Sequence, residues 1–242
     1  MHLSEKDFKN IYKLQDKVLV VLKPVINPFY LTGGTALGRF YLYHRYSEDL
    51  DFFCPQTHEF TRFRNRIMKA LRSHFSVDTD RSVFSEDFSR IWIGEPVTLK
   101  IELVNDVPYK AVEPLEADGL LVDHPVDILA NKLSAILNRE EPKDIIDIKT
   151  IAEYYAFNWS DMFHHAKSKA LIDEVDVAVK LASFPLQWLK AVVFTGPPET
   201  PEHFSRTMEI LVNDFLSGND NSIGASKPEI YTAKPQSKRF IE

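Results

Sequence analysis

The pair Asp49-Leu50-Asp51 is the unit of this chain best suited to chemistry. On a strand, residues i and i+2 share a face, so both carboxylates point one way while Leu50 packs inward. Two like charges that close repel, and burying them without a cation is costly. A hard divalent ion resolves the conflict: magnesium, or manganese in its place, takes carboxylate oxygens and keeps positions open for phosphate and water. The Phe52-Phe53 that follows makes the strand too apolar for an ordinary solvated acidic edge. The plain alternative is a structural acid pair, the usual reading of an isolated Asp-x-Asp.

Upstream lies Gly33-Gly34-Thr35. Between a strand and a helix, two glycines let backbone approach a ligand, and the helix start aims free N–H groups at an anion; the Thr35 hydroxyl can add a donor. The same dipeptide also serves as a simple turn. Glu102 alternates with Leu103 and Ile101 on a strand that puts it beside Lys100, off the core face. It is a candidate third carboxylate, allowing two metals, or equally a solvent-facing member of a Lys-x-Glu pair. Lys132 borders an apolar helix, the usual setting of a snorkelling surface lysine. Pro142-Lys143-Asp144 starts another helix, with Asp144 and Asp147 one turn apart on one face. The helix dipole accounts for Asp144 but less well for Asp147, which sits between isoleucines. Arg45 could pair with Asp49, reach a phosphate, or hold its loop by an ion pair. His44 reads as a loop residue, the adjacent His164-His165 make a poor metal pair, and Cys54 reads as a core thiol.

These residues must be positioned by regular elements. Helical periodicity predicts helices over 5–22, 35–43 and 60–74. Strands are expected at 29–31, 50–53, 75–78, 82–84, 90–93 and 97–104. From residue 126 the pattern is helical: 126–138, 144–156, 160–183 in pieces, and 201–216. The expected organisation is an α/β core over 1–120, a helical domain over 121–216 that closes a cleft, and a loosely ordered tail over 217–242. The chain's 242 residues, 44% hydrophobic and 12% aromatic, can bury a substantial core. A net charge of −6 argues against a surface coated for non-specific nucleic-acid binding, though not against a local basic patch. No apolar run approaches the roughly 20 residues of a membrane span, the N-terminal stretch lacks signal-peptide character, and Cys54 is the only cysteine. A soluble, cytoplasmic protein without membrane association is expected.

Four segments, in order, carry a family resemblance: Gly33-Gly34-Thr35-Ala36-Leu37, His44-Arg45-x-Ser47-x-Asp49-Leu50-Asp51-Phe52, the Lys132 helix, and Lys143-Asp144-Ile145-Ile146-Asp147. Together they resemble the AbiEii/AbiGii toxin family of nucleotidyltransferases, the toxin side of bacterial type IV toxin–antitoxin systems. Lys143 stands where that pattern has arginine, keeping the charge but losing the planar fork. The resemblance implies an α+β, polymerase-β-like nucleotidyltransferase fold, a mixed sheet with flanking helices followed by a helical C-terminal domain. It further implies that Gly33, Gly34 and Thr35 cradle a nucleoside triphosphate, with Arg45 and Ser47 beside them. Asp49 and Asp51 would bind magnesium with Glu102 assisting or acting as base, Lys132 would bridge to phosphates, and Asp144 would accept from Lys132 or position the acceptor. The expected acceptor is RNA, in particular tRNA, and a cognate antitoxin is an expected partner. The alternatives are transfer to a protein or small molecule, an inactive nucleotide- or partner-binding relative, and an unrelated α/β protein with structural acids. For RNA, the basic residues Arg62, Arg64, Arg66, Lys69 and Arg72 offer a phosphate track or merely a solvated helix face.

Overall fold

A computed structural model describes residues 3–237. The chain opens with α1 (Glu5–Leu22), whose Ser4 cap and Asp7 satisfy each other's backbone N–H groups in a capping box. Its apolar face buries Phe8, Ile11, Val18, Leu19 and Leu22. Strand β1 (Tyr30–Thr32) runs directly into a short α2 (Gly33–Ala36), which continues as a π-helical segment, Leu37–Leu42. Then come β2 (Leu50–Pro55), α3 (Phe60–His74), β3 (Val77–Phe84), β4 (Phe88–Ile93), β5 (Leu99–Asp106) and the short pair β6 (Leu115–Ala117) and β7 (Leu120–Val122).

The strands form one mixed sheet in the order β3-β4-β5-β2-β1-β7-β6. β2 pairs parallel with β5 and antiparallel with β1, and β7 joins β1 in parallel. The expected strands at 75–78 and 82–84 are one strand with a register shift between Asp78 and Val83. The helix expected over 35–43 widens from α into π geometry and ends at Tyr43, a non-glycine residue at φ 50°.

The helical half comprises α4 (Pro125–Asn138), α5 (Pro142–Tyr154), α6 (Trp159–Lys169), α7 (Glu174–Ala182), a 3₁₀ turn at Leu186–Ala191 and α8 (Pro201–Leu216). The sheet runs on to Val122, slightly beyond the expected boundary at 120, and one buried apolar cluster continues from α1 through the strands into α8. Backbone bonds also join the halves: Tyr46 N–H donates to the Val193 carbonyl (2.9 Å) and Thr195 N–H to that of His44 (3.2 Å).

The tail corrects its expectation. Residues 217–237 form an ordered strap rather than a loose end. Asn221 Nδ2 donates to the Ala152 and Tyr155 carbonyls at 2.7 and 2.8 Å, Ile230 is buried, and Gln236 N–H donates to the Phe40 carbonyl at 2.8 Å. Positions 238–242 of that expectation lie outside the described residues. No helix among the described residues is long and apolar enough to cross a membrane.

Candidate active site

Strand register assembles the acids. Alternation along β2 and β5 turns Leu50, Phe52, Ile101 and Leu103 into the core, and leaves Asp49, Asp51, Lys100 and Glu102 facing a cleft. Asp51 lies directly opposite Glu102 on the parallel neighbour and opposite Thr32 on the antiparallel one. Lys100 Nζ sits 2.9 Å from Asp49 and 3.5 Å from Glu102, and Arg90 Nε, across the β4–β5 ladder, sits 2.7 Å from Glu102. Asp51 has no such partner among the described residues, and burial together with the charges of Asp49 and Glu102 pushes its carboxyl up to about 7. Burial also raises Asp49, against the pull of Lys100. A cluster of hard oxygen donors, one of them held near neutrality by its neighbours, suits a divalent cation.

The glycine turn is fitted to this cluster. Gly33 adopts φ +68°, and a Cβ there would stand 2.6 Å from Asp51 Oδ2. A Cβ on Gly34 would stand 2.4 Å from a guanidinium nitrogen of Arg45 and 3.0 Å from Ser47 Oγ. Thr35 departs from its expectation as a phosphate donor, because its buried hydroxyl donates to the Asp49 carbonyl at 2.5 Å and so braces the acidic strand. Gln15 on α1, which sequence reasoning missed, braces the same stretch. Its Nε2 donates to the Ser47 carbonyl at 3.0 Å, and the Ser47 N–H donates to the Tyr12 hydroxyl at 3.1 Å. The only signal for Gln15 was a polar residue inside the apolar stripe of its helix.

The opposite wall is an ion-pair hub on the helical side. Lys132 Nζ lies 2.5 Å from Asp144 and 2.8 Å from Asp147. Arg45 forks onto Asp147 with two bonds of 2.7 Å. Arg45 therefore pairs with neither Asp49 nor an open phosphate position: it is a buried tie that backs Gly34. His44 is likewise no idle loop residue, since its Nε2 lies 2.8 Å from Asp147. Burial lowers the pKa of His44 despite that partner, so the neutral ring donates from Nε2. Burial alone would raise Asp147, but Arg45 and Lys132 outweigh it and hold the carboxyl well below the ordinary range. Asp144, also buried, is lowered by Lys132 and by Arg139, whose Nε is 2.7 Å away. Lys143, standing where the family pattern has arginine, reaches Glu48 on the acidic loop.

The cleft thus gathers Gly34, Arg45, Ser47, Asp49, Asp51, Glu102, Lys132 and Asp144 around about 560 Å³, with Gly33 in an adjoining lobe. Thr35 lies behind its wall. None of the basic residues on α3 lines it; Arg64 and Arg66 donate instead to backbone carbonyls of neighbouring loops. The cleft's cationic rim comes from Arg90, Lys100, Arg139 and Lys143. Elsewhere, Glu153, Glu199 and His203 also converge, but Lys149 Nζ lies 2.6 Å from each of the two glutamates and offsets one of their two charges.

A family model described as nucleotidyl transferase AbiEii toxin, type IV toxin–antitoxin system, matches residues 19–178. Among solved structures, a candidate nucleotidyltransferase of H. pylori is similar at a TM-score of 0.56 and 21% identity, covering 89% of this chain and 98% of that one. JHP933 of Helicobacter pylori is similar at 0.53 and 20%, covering 89% and 95%. MenT4, a nucleotidyltransferase toxin of Mycobacterium tuberculosis H37Rv, is similar at 0.50 and 15%, covering 87% and 84%. A search of curated sequences returned no match.

Proposed function

The chain belongs to the AbiEii nucleotidyl transferase toxin family and is a nucleotidyltransferase, and on that footing we propose that it moves a nucleotide from a nucleoside triphosphate to RNA, tRNA foremost, as the toxin of a type IV toxin–antitoxin pair. The observation that carries this reading is the acid group, in which Asp51 is pushed up to about 7 between Asp49 and Glu102. Asp49, Asp51 and Glu102 would hold magnesium or manganese, which when bound neutralises triphosphate charge and activates the acceptor hydroxyl. The rest is the work of the chain's own residues. Gly33 and Gly34 bring backbone close to the triphosphate. Lys132, held by Asp144 and Asp147, presents its charge to the phosphates from the facing wall. In-line attack by the acceptor hydroxyl on the α-phosphorus forms the new phosphodiester bond and expels pyrophosphate. Glu102, steadied by Arg90 and set across from Asp51, would assist in holding the metal or take the proton of the attacking hydroxyl.

RNA is the first acceptor to test: Arg90, Lys100, Arg139 and Lys143 line the cleft, each paired with an acid of the same cleft (Glu102, Asp49, Asp144 and Glu48), and a metal bound to Asp49 and Glu102 would free the charge of Arg90 and Lys100 for phosphates. The test is incubation with each α-labelled nucleoside triphosphate, magnesium and total cellular RNA, with Asp49→Ala as control. Label on a discrete RNA band, lost in the variant, supports the reading. Label on protein alone redirects the acceptor, and no label with any triphosphate and RNA overturns RNA transfer. For the toxin role, expression should arrest growth, and Asp51→Asn should relieve the arrest.

A further inference from the structure

The sheet face that carries the acids continues outward past them. Strand register sets Arg90 of β4 opposite Glu102, Trp92 opposite Lys100 and Phe88 opposite Val104. Alternation turns Ser89, Ile91 and Ile93 into the core, which leaves Phe88, Arg90 and Trp92 half-buried in a row on the side of the cleft. The row spans about 13 Å and lies about 5 Å from the strand of Glu102. β3 extends the same face. Val83, opposite Arg90, is 51% exposed, and Arg81 reaches over Trp92 with its Cζ 3.8 Å from the ring centroid. Arg90 stands over Phe88 in the same way at 5.5 Å.

Two aromatic rings flanking a guanidinium on the outward face of a strand forgo burial that the core would give them, the pattern of a surface that meets a partner. Charge alone does not pick out that partner, because Asp78 lies 4.0 Å from Arg81 and Glu102 lies 2.7 Å from Arg90. The rings do. An unpaired nucleotide presents a flat π-face to an aromatic side chain and a phosphate to an arginine, and aromatic residues on an open sheet can hold two or three such bases. A duplex keeps those faces stacked within itself and leaves the rings uncovered. Position agrees with chemistry. The row is one strand away from Glu102, so an RNA end lying on it brings its terminal hydroxyl to the acids.

Building on the RNA-acceptor reading, we propose that Phe88 and Trp92 form a stacking platform for the unpaired end of the acceptor RNA. Each ring takes one base, and Arg81, whose side chain is 48% exposed, leaves the Trp92 ring for a phosphate. The chain thereby selects RNA whose reacting end is single-stranded and rejects blunt duplexes.

The test is equilibrium binding, with magnesium, of a fluorescein-labelled single-stranded RNA dodecamer and of the same RNA annealed into a blunt duplex. Wild type, Trp92→Leu, Phe88→Leu and Trp92→Phe are compared, and binding of nucleoside triphosphates is measured beside them. Wild type is expected to bind the single strand about tenfold tighter than the duplex, or more. Each leucine variant should lose about fivefold or more of single-strand affinity, the lower bound for one stacked base, while Trp92→Phe, which keeps a ring, stays within about twofold. Unlabelled single strand should also quench tryptophan emission in wild type and not in Trp92→Phe, since of the chain's three tryptophans Trp92 alone lines the cleft. Triphosphate affinity should be the same in all the variants, which certifies that they are folded. Equal affinity of wild type for the two RNAs overturns the proposal, as does a single-strand preference that survives both leucine variants. A parallel loss of triphosphate binding in those variants also overturns it and makes the rings structural. A wild type that binds triphosphates and neither RNA overturns the RNA-acceptor reading beneath it.

Discussion

Asp51 and Asp147 show the same side chain under opposite electrostatics. Burial and like charges raise Asp51 to about 7. Because its folded-state pKa exceeds the unfolded value of about 3.9, its contribution to stability is complete below that value and is lost as pH rises towards 7. In metal-free buffer at pH 8, Asp51→Asn should therefore melt higher than wild type, by ~2–4 °C for each kcal/mol of relieved repulsion. The same variant should lose transfer activity by about 10²-fold or more. Magnesium should raise the melting temperature of wild type and not of the variant; an equal rise in both would remove Asp51 from the metal site. Asp147 is the reverse case, depressed well below the ordinary range, so its contribution is present above about pH 4 and lost on further acidification. Asp147→Ala strips Arg45 and Lys132 of their shared partner and should cost about 3–5 kcal/mol, lowering melting by ~10 °C. A melting loss under about 1 kcal/mol would mean that both cations find other partners. Asp49 and Asp51 were legible in the sequence because period-two alternation is local. The Arg45–Asp147 tie was not, since its members lie 102 positions apart and only Asp147's isoleucine neighbours marked it.

Among the elements, the long helices were the most legible: α1 and α3 fall at 5–22 and 60–74, where their apolar periodicity places them. β6 and β7 were missed, although Asp118-Gly119 between them, both at positive φ, is a hairpin signal that the short runs on either side did not make obvious. The π-helical segment was read as α, since six residues of sequence carry no mark of the change from i→i+4 to i→i+5 bonding. The Gly33-Gly34 turn was visible as a motif, but its tightness was not. Gly33 combines a left-handed φ with a hydrogen that points at Asp51, so Gly33→Ala meets two penalties, about 1 kcal/mol for the backbone and displacement of the carboxylate. Nucleotide transfer by Gly33→Ala should fall at least tenfold while the melting temperature drops only a few degrees. Steady-state kinetics beside a thermal melt separate the two effects. Full activity in a protein destabilised by that amount would make Gly33 a turn residue and nothing more.

For the whole molecule, the expected two-part division meets a continuous core and a strap that crosses it. A strap was one reading of this segment, but its firm hold was not legible because the sequence has almost no apolar period; backbone hydrogen bonds hold it instead. Ala156 N–H donates to Pro228 and Ile230 N–H to Ala156, both at 2.9 Å, and Asn221 satisfies carbonyls at the C-terminal end of α5. The His124 ring, at the start of α4, lies 3.2 Å from the Ala233 carbonyl, and Gln236 reaches the π-helical segment that follows the glycine turn. The strap therefore ties α5, α4 and the turn-bearing segment together. Its removal orphans buried carbonyls at about 1–3 kcal/mol each and exposes the fully buried Ile230 at about 2 kcal/mol. That loss is comparable with the whole stability of an ordinary domain, about 5–15 kcal/mol. A chain ending at Leu216 should accordingly lose its cooperative melt or unfold more than ~10 °C lower, and Asn221→Ala alone should lower melting by ~5 °C. Scanning calorimetry distinguishes the cases. If the truncated chain melts as the full one does, the strap is a passenger, and the helical half holds its wall of the cleft unaided.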